Sequence, residues 1–234
     1  MNFFFLIFFI FLLYENPSKA IDFQSLESEK GIKFWLINDK SLPLISMSFS
    51  FKGGAINDPK EKTGLTNLMT SLLDEGTKEF TSEEFKLFMK ENGVKIYVST
   101  RKDKVEGTFQ VISSQKEQGF WLLHESINNA LFRPEQINNV KSQIEASIKI
   151  DESDSSIIAS DKFNELFFSD KSMQKKVKGT LGSIKNISRA DLMKSYKKAF
   201  TKNNLVIGIA GDINSDLAIK YMDYVFGDLP VSKE

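Results

Sequence analysis

The chain has 234 residues, of which 41% are hydrophobic and 26% charged, a composition that excludes a disordered chain and a polytopic membrane protein. Its 31 basic and 31 acidic residues give a formal net charge of zero, so no overall basic field attracts nucleic acid. The absence of cysteine excludes disulfides, thiolate metal sites and a cysteine nucleophile, and a single histidine excludes mechanisms that need two histidines from one chain.

The first residues are typical of an export signal. Phe3–Tyr14 is an unbroken apolar run, shorter than the about 20 residues that a membrane-spanning helix needs. A helix-breaking segment follows, and Ser18 and Ala20 then place small residues at alternate positions, as signal peptidases require. We predict a signal peptide over 1–20 and no stable membrane span after its cleavage, with a retained N-terminal anchor as the alternative. Either way the remaining chain, 21–234, is expected to be periplasmic or secreted.

Strand and helix patterns alternate in the first half of this body. Alternating apolar and β-branched residues predict strands at 32–38, 44–52, 94–100 and 105–113. The helical spacing of leucines, with glycines that end each segment, predicts helices at 63–73 and 81–92. The first two strands are expected to form a hairpin, because the segment between them is short and turn-like. Thr81 and Glu84 form a capping box that begins the second helix.

The second half is mostly helical. The same patterns predict helices at 115–129, 134–149 and 157–168, a loop at 171–185, a helix at 188–200, a strand at 205–210 and a helix at 216–226. The strand at 205–210 is continuously apolar, which indicates a buried central position in a sheet. The element order predicts one α+β domain with a mixed, mostly antiparallel sheet and helices packed on one face.

Few side chains stand out as catalytic candidates. His124 lies in an amphipathic helix, and no Gly-x-Ser-x-Gly motif accompanies it, so we interpret it as a helix-surface or boundary residue. Gly53-Gly54 is a pair rather than a phosphate-binding loop, and it is interpreted as a strand end. Acidic pairs such as Asp74-Glu75 lie at helix ends, where solvated charge is usual. The run of lysines at 175–178 is interpreted in the same way, as a solvated loop.

Several separated motifs resemble one enzyme family. The segment from Gly53 to Thr77, which includes a proline loop, Gly64-Leu65 and Gly76-Thr77, resembles the active-site region of the insulinase/pitrilysin family of zinc peptidases. Further along the chain, three more motifs resemble those of the family and occur in the same order: Gly179-Thr180, Asn203-Asn204-Leu205 and Gly211-Asp212. The resemblance covers 32–230 and implies a single insulinase-type peptidase domain, the N-terminal half of the family's usual two-domain chain.

The resemblance also locates the family's zinc site, and the residues there are different. Family members bind zinc through two histidines of a His-x-x-Glu-His helix and a later glutamate, and the glutamate of the motif activates water. In this sequence the histidine positions are Asn67 and Ser71, the glutamate position is Thr70, and the third ligand position is Ser147. These residues are poor zinc ligands, and a threonine is no general base near neutral pH. The resemblance therefore implies no catalytic residue, no metal site and no cofactor, although zinc is expected in the family.

The family further implies partners. Some members resemble processing peptidase, in which a metal-free chain pairs with a catalytic chain and helps to bind extended peptides. We therefore expect a non-catalytic subunit with two partners, a catalytic insulinase-family chain and a peptide that adds as a strand near Ala55 or 95–100. One alternative is a stand-alone peptide-binding module or truncated remnant. A remnant that lacks its second domain would expose apolar surface and aggregate. The other is an active zinc metalloendopeptidase. No nucleic-acid partner is expected.

Overall fold

A computed structural model describes residues 23–232 of the chain. The predicted signal peptide over 1–20 lies outside the described residues. Within the part that the structure describes, no helix has both the length and the apolar character needed to cross a bilayer.

Six strands form a single sheet. They are β1 (Gln24–Glu27), β2 (Lys33–Asn38), β3 (Leu44–Lys52), β4 (Lys95–Thr100), β5 (Lys104–Ile112) and β6 (Leu205–Gly211). The spatial order is β1-β2-β6-β3-β5-β4, with β1 and β4 at the two edges. All neighbouring pairs are antiparallel except β2 and β6, which are parallel. The predicted mixed, mostly antiparallel sheet is confirmed.

Eight α-helices complete the described part of the fold. They are α1 (Leu65–Thr70), α2 (Ser82–Glu91), α3 (Lys116–Asn128), α4 (Pro134–Asp151), α5 (Ser155–Phe167), α6 (Leu181–Lys185), α7 (Arg189–Ala199) and α8 (Ser215–Phe226). Short 3-10 turns lie at Ala55–Asn57, Lys60–Lys62, Ser113–Gln115 and Lys202–Asn204. The capping box predicted for α2 is present: Thr81 Oγ1 accepts from the Glu84 amide, and the Glu84 carboxylate accepts from the Thr81 amide.

The core lies between the helices and one face of the sheet. In β3 the alternate residues from Ile45 to Phe51 are buried, while Ser46, Ser48 and Ser50 face the other side. Fully burying one large apolar side chain contributes roughly 1.5–3 kcal/mol, so this face provides much of the folding energy. The predicted packing of helices on one face of the sheet is confirmed.

The predicted hairpin between β2 and β3 is wrong. Strand β6 lies between them, and Gly208 of β6 is opposite Trp35 of β2 on one side and opposite Ser48 of β3 on the other. Local pattern identifies a strand but not its neighbour, and β6 comes from the far end of the chain. Its continuous apolar sequence does place it in the interior of the sheet, as predicted.

Three smaller differences concern short elements. The segment predicted as a loop at 171–185 contains helix α6, which Thr180 and Ser183 cap reciprocally. The helix predicted over 63–73 ends at Thr70, and the residues that follow form turns. Strand β1 was not predicted, because most of its residues are exposed and it lacks apolar alternation. The other predicted elements agree with the structure within two residues at each end.

Candidate functional site

Helix α1, which corresponds to the family's zinc helix, is anchored at its start by a buried carboxylate. Asp58 Oδ2 accepts a hydrogen bond from the Gly64 amide at 2.9 Å, and Oδ1 accepts from the Thr66 amide at 3.1 Å and from Thr66 Oγ1 at 2.6 Å. Burial raises the pKa of the Asp58 carboxyl, while these hydrogen bonds oppose that rise. The position of α1 is therefore fixed by side-chain bonds to its first amides.

Two glycines explain why the separated motifs of the sequence come together. Gly64 and Gly179 both have positive φ, 88° and 77°. A Cβ on Gly64 would lie 2.5 Å from the carbonyl oxygen of Lys178, and one on Gly179 would lie 2.1 Å from the carbonyl oxygen of Thr63. Since only glycine tolerates both the conformation and the contact, the Gly-Thr loop can pack directly against the start of α1.

The three positions that correspond to the family's zinc motif form hydrogen bonds with their own neighbours. Thr70 is buried, and its Oγ1 lies 3.0 Å from Thr100 Oγ1 on β4. Thr70 Oγ1 and Ser71 Oγ both donate to the carbonyl oxygen of Asn67, at 3.0 and 2.9 Å. Asn67, Thr70 and Ser71 all line one cavity between α1 and β4.

The position of the third ligand is next to a cation. Ser147, on α4, accepts a hydrogen bond from Lys178 Nζ at 2.7 Å, and the same ammonium forms a 2.7 Å ion pair with Asp151. Ser147 does not line the cavity that Asn67 and Ser71 share. The sequence predicts a solvated loop residue at Lys178, but in the structure its ammonium contacts Ser147 and Asp151.

These residues do not fit a zinc ion. Catalytic zinc takes three protein ligands from histidine, cysteine, aspartate and glutamate. The positions here supply an amide and hydroxyls, and an ammonium group adjoins one of them. Among residues 23–232, no group of three such side chains is arranged to hold a metal.

Within residues 23–232, strand β4 has one edge without a partner strand. The Arg101 amide donates to the Lys104 carbonyl at 2.7 Å, which identifies this pair as hydrogen-bonded. Hydrogen-bonded and non-hydrogen-bonded pairs alternate in an antiparallel ladder, so Ile96, Val98 and Thr100 direct their amides and carbonyls away from β5. This edge, around 95–100, is one of the two places where the sequence predicted an added peptide strand. At the other, Ala55, the amide donates to the Arg101 carbonyl.

The cavity beside this edge has a volume of about 260 Å³. It is lined by Asn67, Thr70, Ser71, Leu73, Asp74, Glu75, Ile96, Tyr97, Val98, Ser99 and Ser126. Burial and the neighbouring Glu75 raise the pKa of the Asp74 carboxyl. From sequence, Asp74 and Glu75 were interpreted as solvated charges at a helix end, and the structure corrects this because both are half-buried in the cavity wall.

His124 is a boundary residue of α3, as the sequence analysis predicted. Its Nδ1 is 2.9 Å from the carbonyl oxygen of Tyr224, and its ring stacks on that tyrosine with centroids 4.6 Å apart. It does not line the cavity beside β4.

Residues 33–181, more than half of the chain, match the family model for insulinase, peptidase family M16. The chain belongs to the insulinase family. Residues 186–234 match a second model, the peptidase M16 inactive domain. The sequence resemblance is thereby confirmed, and so is the loss of the His-x-x-Glu-His motif, since the chain contains one histidine.

Curated relatives include a non-peptidase homolog, YmxG, from Helicobacter pylori, which is 26% identical over 192 residues. That match covers 82% of this chain and 44% of the relative. The alpha-1 subunit of mitochondrial processing peptidase from Dictyostelium discoideum is 23% identical over 186 residues, covering 78% of this chain and 28% of the subunit. The chain thus spans less than half the length of these two insulinase-family relatives.

Solved structures share the fold. A peptidase M16 inactive domain from Pseudomonas fluorescens superposes with a TM-score of 0.83 at 20% identity, covering 90% of this chain and 52% of that one. The first half of the periplasmic protease PqqL from Escherichia coli gives a TM-score of 0.79 at 15% identity, covering 90% and 47%. The described residues therefore share the fold of these insulinase-family structures.

Proposed function

We propose that this chain is an exported, non-catalytic member of the insulinase family that pairs with a catalytic insulinase-family metallopeptidase and helps it to bind extended peptides. One observation carries the proposal. The helix that corresponds to the zinc helix is anchored by Asp58 and has buried apolar residues, while the ligand and base positions hold Asn67, Thr70, Ser71 and Ser147. We propose accordingly that the chain takes no zinc.

One relative supports a non-catalytic role, and another supports a role as a subunit. One is named a non-peptidase homolog, and another is named a subunit of a processing peptidase.

Peptide binding is supported by the free edge of β4. An extended peptide that pairs with an edge strand gains main-chain hydrogen bonds, and alternate side chains then contact pockets on either face. Ile96, Val98 and Thr100 direct their main-chain groups away from β5, and no other strand of residues 23–232 pairs with this edge, which lies next to the cavity at α1.

Pairing with another chain is supported by helix α5. None of its residues is buried, and its apolar side chains Ile158, Phe163, Leu166 and Phe167 face solvent, with Phe163 and Phe167 exposed by 57% and 67%. The two phenylalanine rings stack at 5.0 Å on this surface. Contiguous exposed apolar side chains mark contact sites for other proteins, and we assign this face to the catalytic partner.

Export is proposed from the apolar N-terminal run and the small residues Ser18 and Ala20. PqqL, whose first half shares the fold, is described as a periplasmic protease. We propose a periplasmic or secreted location for this chain also.

The experiment is a pull-down of the tagged full chain from its own cells, with the bound proteins identified by mass spectrometry. The proposal predicts that a chain with an intact His-x-x-Glu-His helix is recovered in equal amount. It also predicts that the pair has peptidase activity and that this chain alone has none. Recovery of the chain alone and soluble would favour the stand-alone binding module. Recovery with chaperones only would favour the truncated remnant, and peptidase activity of the isolated chain would favour the zinc enzyme.

A further inference from the structure

We propose that the face of the sheet opposite the helices docks an α-helix of the catalytic partner, in a trough centred on Gly208. The inference rests on the proposed function, because it takes the partner to be the insulinase-family chain proposed above. It deepens that function by naming a second contact surface and the kind of element that fits it, an amphipathic helix with an apolar face.

The trough follows from the register of the sheet. One row of paired residues crosses five strands in the order Trp35, Gly208, Ser48, Thr108 and Tyr97. All five lie on the face away from the core, where Trp35 and Tyr97 are 48% and 67% exposed. Two large aromatic side chains therefore flank three small residues, which form a floor three strands wide.

The rows on either side continue this floor. Ala210 pairs with Ser46, and Val206 pairs with Ser50, so short side chains follow β6 and β3 along their length. Two overlapping cavities, of about 710 and 520 Å³, lie over the floor. Each is within the roughly 300–1,000 Å³ of sites that enclose a ligand, so this face is concave and has room for several side chains.

Gly208, at the centre of the floor, is not required by packing within the described residues. Its backbone is not in the left-handed region, and a Cβ placed on it would meet no atom within 4 Å. A glycine in the interior of a strand lowers stability and often marks a place where a ligand or another chain approaches closely. Since no residue in 23–232 fills the space above Gly208, we assign that space to the partner.

A helix fits this face better than an extended peptide does. The interior of a sheet face offers side chains and no unpaired main-chain groups, so an extended peptide lying on it would leave its own amides and carbonyls without partners. A helix pairs its main chain internally and presents only side chains. Trp35 and Tyr97 are four strand spacings apart, about 19 Å, which leaves room for a helix of about 10–12 Å diameter.

One end of the trough carries a positive charge. Arg101 and Lys104 pair with the same carboxylate, that of Glu106, at 2.5 and 2.9 Å, and all three residues line the cavity at this end. Two cations on one carboxylate leave a net charge of about +1. Because the carboxyl end of a helix carries a partial negative charge, we expect the partner helix to end over this turn.

The same turn connects the trough to α5. Lys102 Nζ donates to the carbonyl oxygen of Met173 at 2.6 Å and lies 5.8 Å from the centre of the Phe168 ring. Phe168 directly follows α5, whose exposed apolar face is already assigned to the partner. Helix α5 therefore ends beside the turn that closes the trough, and one partner chain can cover both surfaces.

The first test adds bulk to the floor. Gly208→Val fills space that the described residues leave free, and valine suits a strand better than glycine, so the thermal transition should stay the same or rise. Recovery of the partner in the pull-down of the tagged full chain should fall at least about tenfold, because the helix can no longer approach. Gly182→Val is the matched control. It makes the same change at an exposed glycine of α6, where the nearest atom to the new Cβ is 4.0 Å away, and it should leave recovery unchanged.

The second test identifies the occupant. Trp35→p-benzoylphenylalanine replaces one aromatic wall of the trough by a photoreactive side chain of similar size. After irradiation of the chain's own cells, mass spectrometry should locate the cross-link in a segment with helical spacing of apolar residues, in the chain that carries His-x-x-Glu-His.

The outcomes separate this inference from the proposed function. Full recovery of the partner by Gly208→Val would overturn the trough as a docking surface and leave the pairing itself intact. So would the absence of a cross-link, or a cross-link to an extended peptide, to a second copy of this chain or to its own residues 1–22. Failure of the unaltered chain to recover any insulinase-family partner would contradict the proposed function, and this inference with it.

Discussion

Lys178 Nζ donates a 2.7 Å hydrogen bond to Ser147 Oγ, the position at which the insulinase family carries its third zinc ligand. The same ammonium is held by Asp151 at 2.7 Å, so its place is fixed from two sides. A cation next to a ligand position opposes metal binding by charge, in addition to the missing donor atoms.

The first prediction concerns restoration of the site. A chain with Asn67→His, Thr70→Glu, Ser71→His and Ser147→Glu should bind zinc weakly, because the new carboxylate at position 147 would pair with Lys178. Adding Lys178→Met removes the ammonium that would compete with zinc for the carboxylate at position 147. A charge-assisted contact is worth roughly 1.5–3 kcal/mol, so zinc binding should tighten by about tenfold or more. Isothermal titration calorimetry of both variants measures the difference. Equal affinities would show that Lys178 has no part in the loss.

The second prediction concerns the free edge of β4. Val98→Pro removes an amide that points away from β5, so the sheet should persist while binding of a fluorescein-labelled peptide of alternating threonine and valine is lost. Ser99→Pro is the control, because the Ser99 amide belongs to the ladder with Glu106 and its loss should destabilise the sheet. Circular dichroism and anisotropy distinguish the two effects. Unchanged peptide binding in Val98→Pro would show that the peptide does not bind at the edge of β4.

The third prediction concerns the exposed face of α5. Phe163→Asp with Phe167→Asp should change the free energy of unfolding by less than about 0.5 kcal/mol per substitution, because neither side chain is buried. Capture of the catalytic partner in the pull-down should be lost. Leu87→Asp places the same charge at an exposed apolar residue of α2 and should leave capture intact. Equal capture by all three chains would exclude this face from the interface.

The fourth prediction is a pH dependence at the start of α7. Hydrogen bonds from Lys62, at 2.5 Å, and from Ser188 lower the pKa of Asp191 from 3.8 to about 2. A carboxyl whose pKa is lowered by folding stabilises the native state above its unfolded pKa, and this contribution disappears as the pH falls through the folded pKa. Asp191→Asn should therefore lower the thermal transition near neutral pH, with the difference shrinking as the pH falls below 3.8 and vanishing only below about 2. A difference that is constant with pH would contradict the ion pair.

Most of the fold was predictable from sequence because its strands and helices carry strong local periodicity. The alternation from Ile45 to Phe51 and the capping box at Thr81 each specify one element without reference to the rest of the chain. Strand neighbours are not specified in this way. The insertion of β6 between β2 and β3 depends on pairing across more than 150 residues, which no local pattern carries.

The site was predictable only in part, for a similar reason. The resemblance located Asn67, Thr70, Ser71 and Ser147, but tertiary contacts decide what surrounds them. Lys178 looked like a solvated loop charge, and Asp74 looked like a helix-end charge. Their significance comes from burial beside α4 and β4, which the spacing of charges along the chain does not encode.

The most direct test of a zinc-free, non-catalytic chain is calorimetric titration of zinc into the purified, metal-stripped protein. Asn67, Ser71 and Ser147 offer no strong ligand, and Lys178 adds a repelling charge, so we predict no saturable binding at one zinc per chain. A single tightly bound zinc per chain, lost in Asn67→Ala or Ser71→Ala, would contradict this and would restore the active metallopeptidase as the leading interpretation.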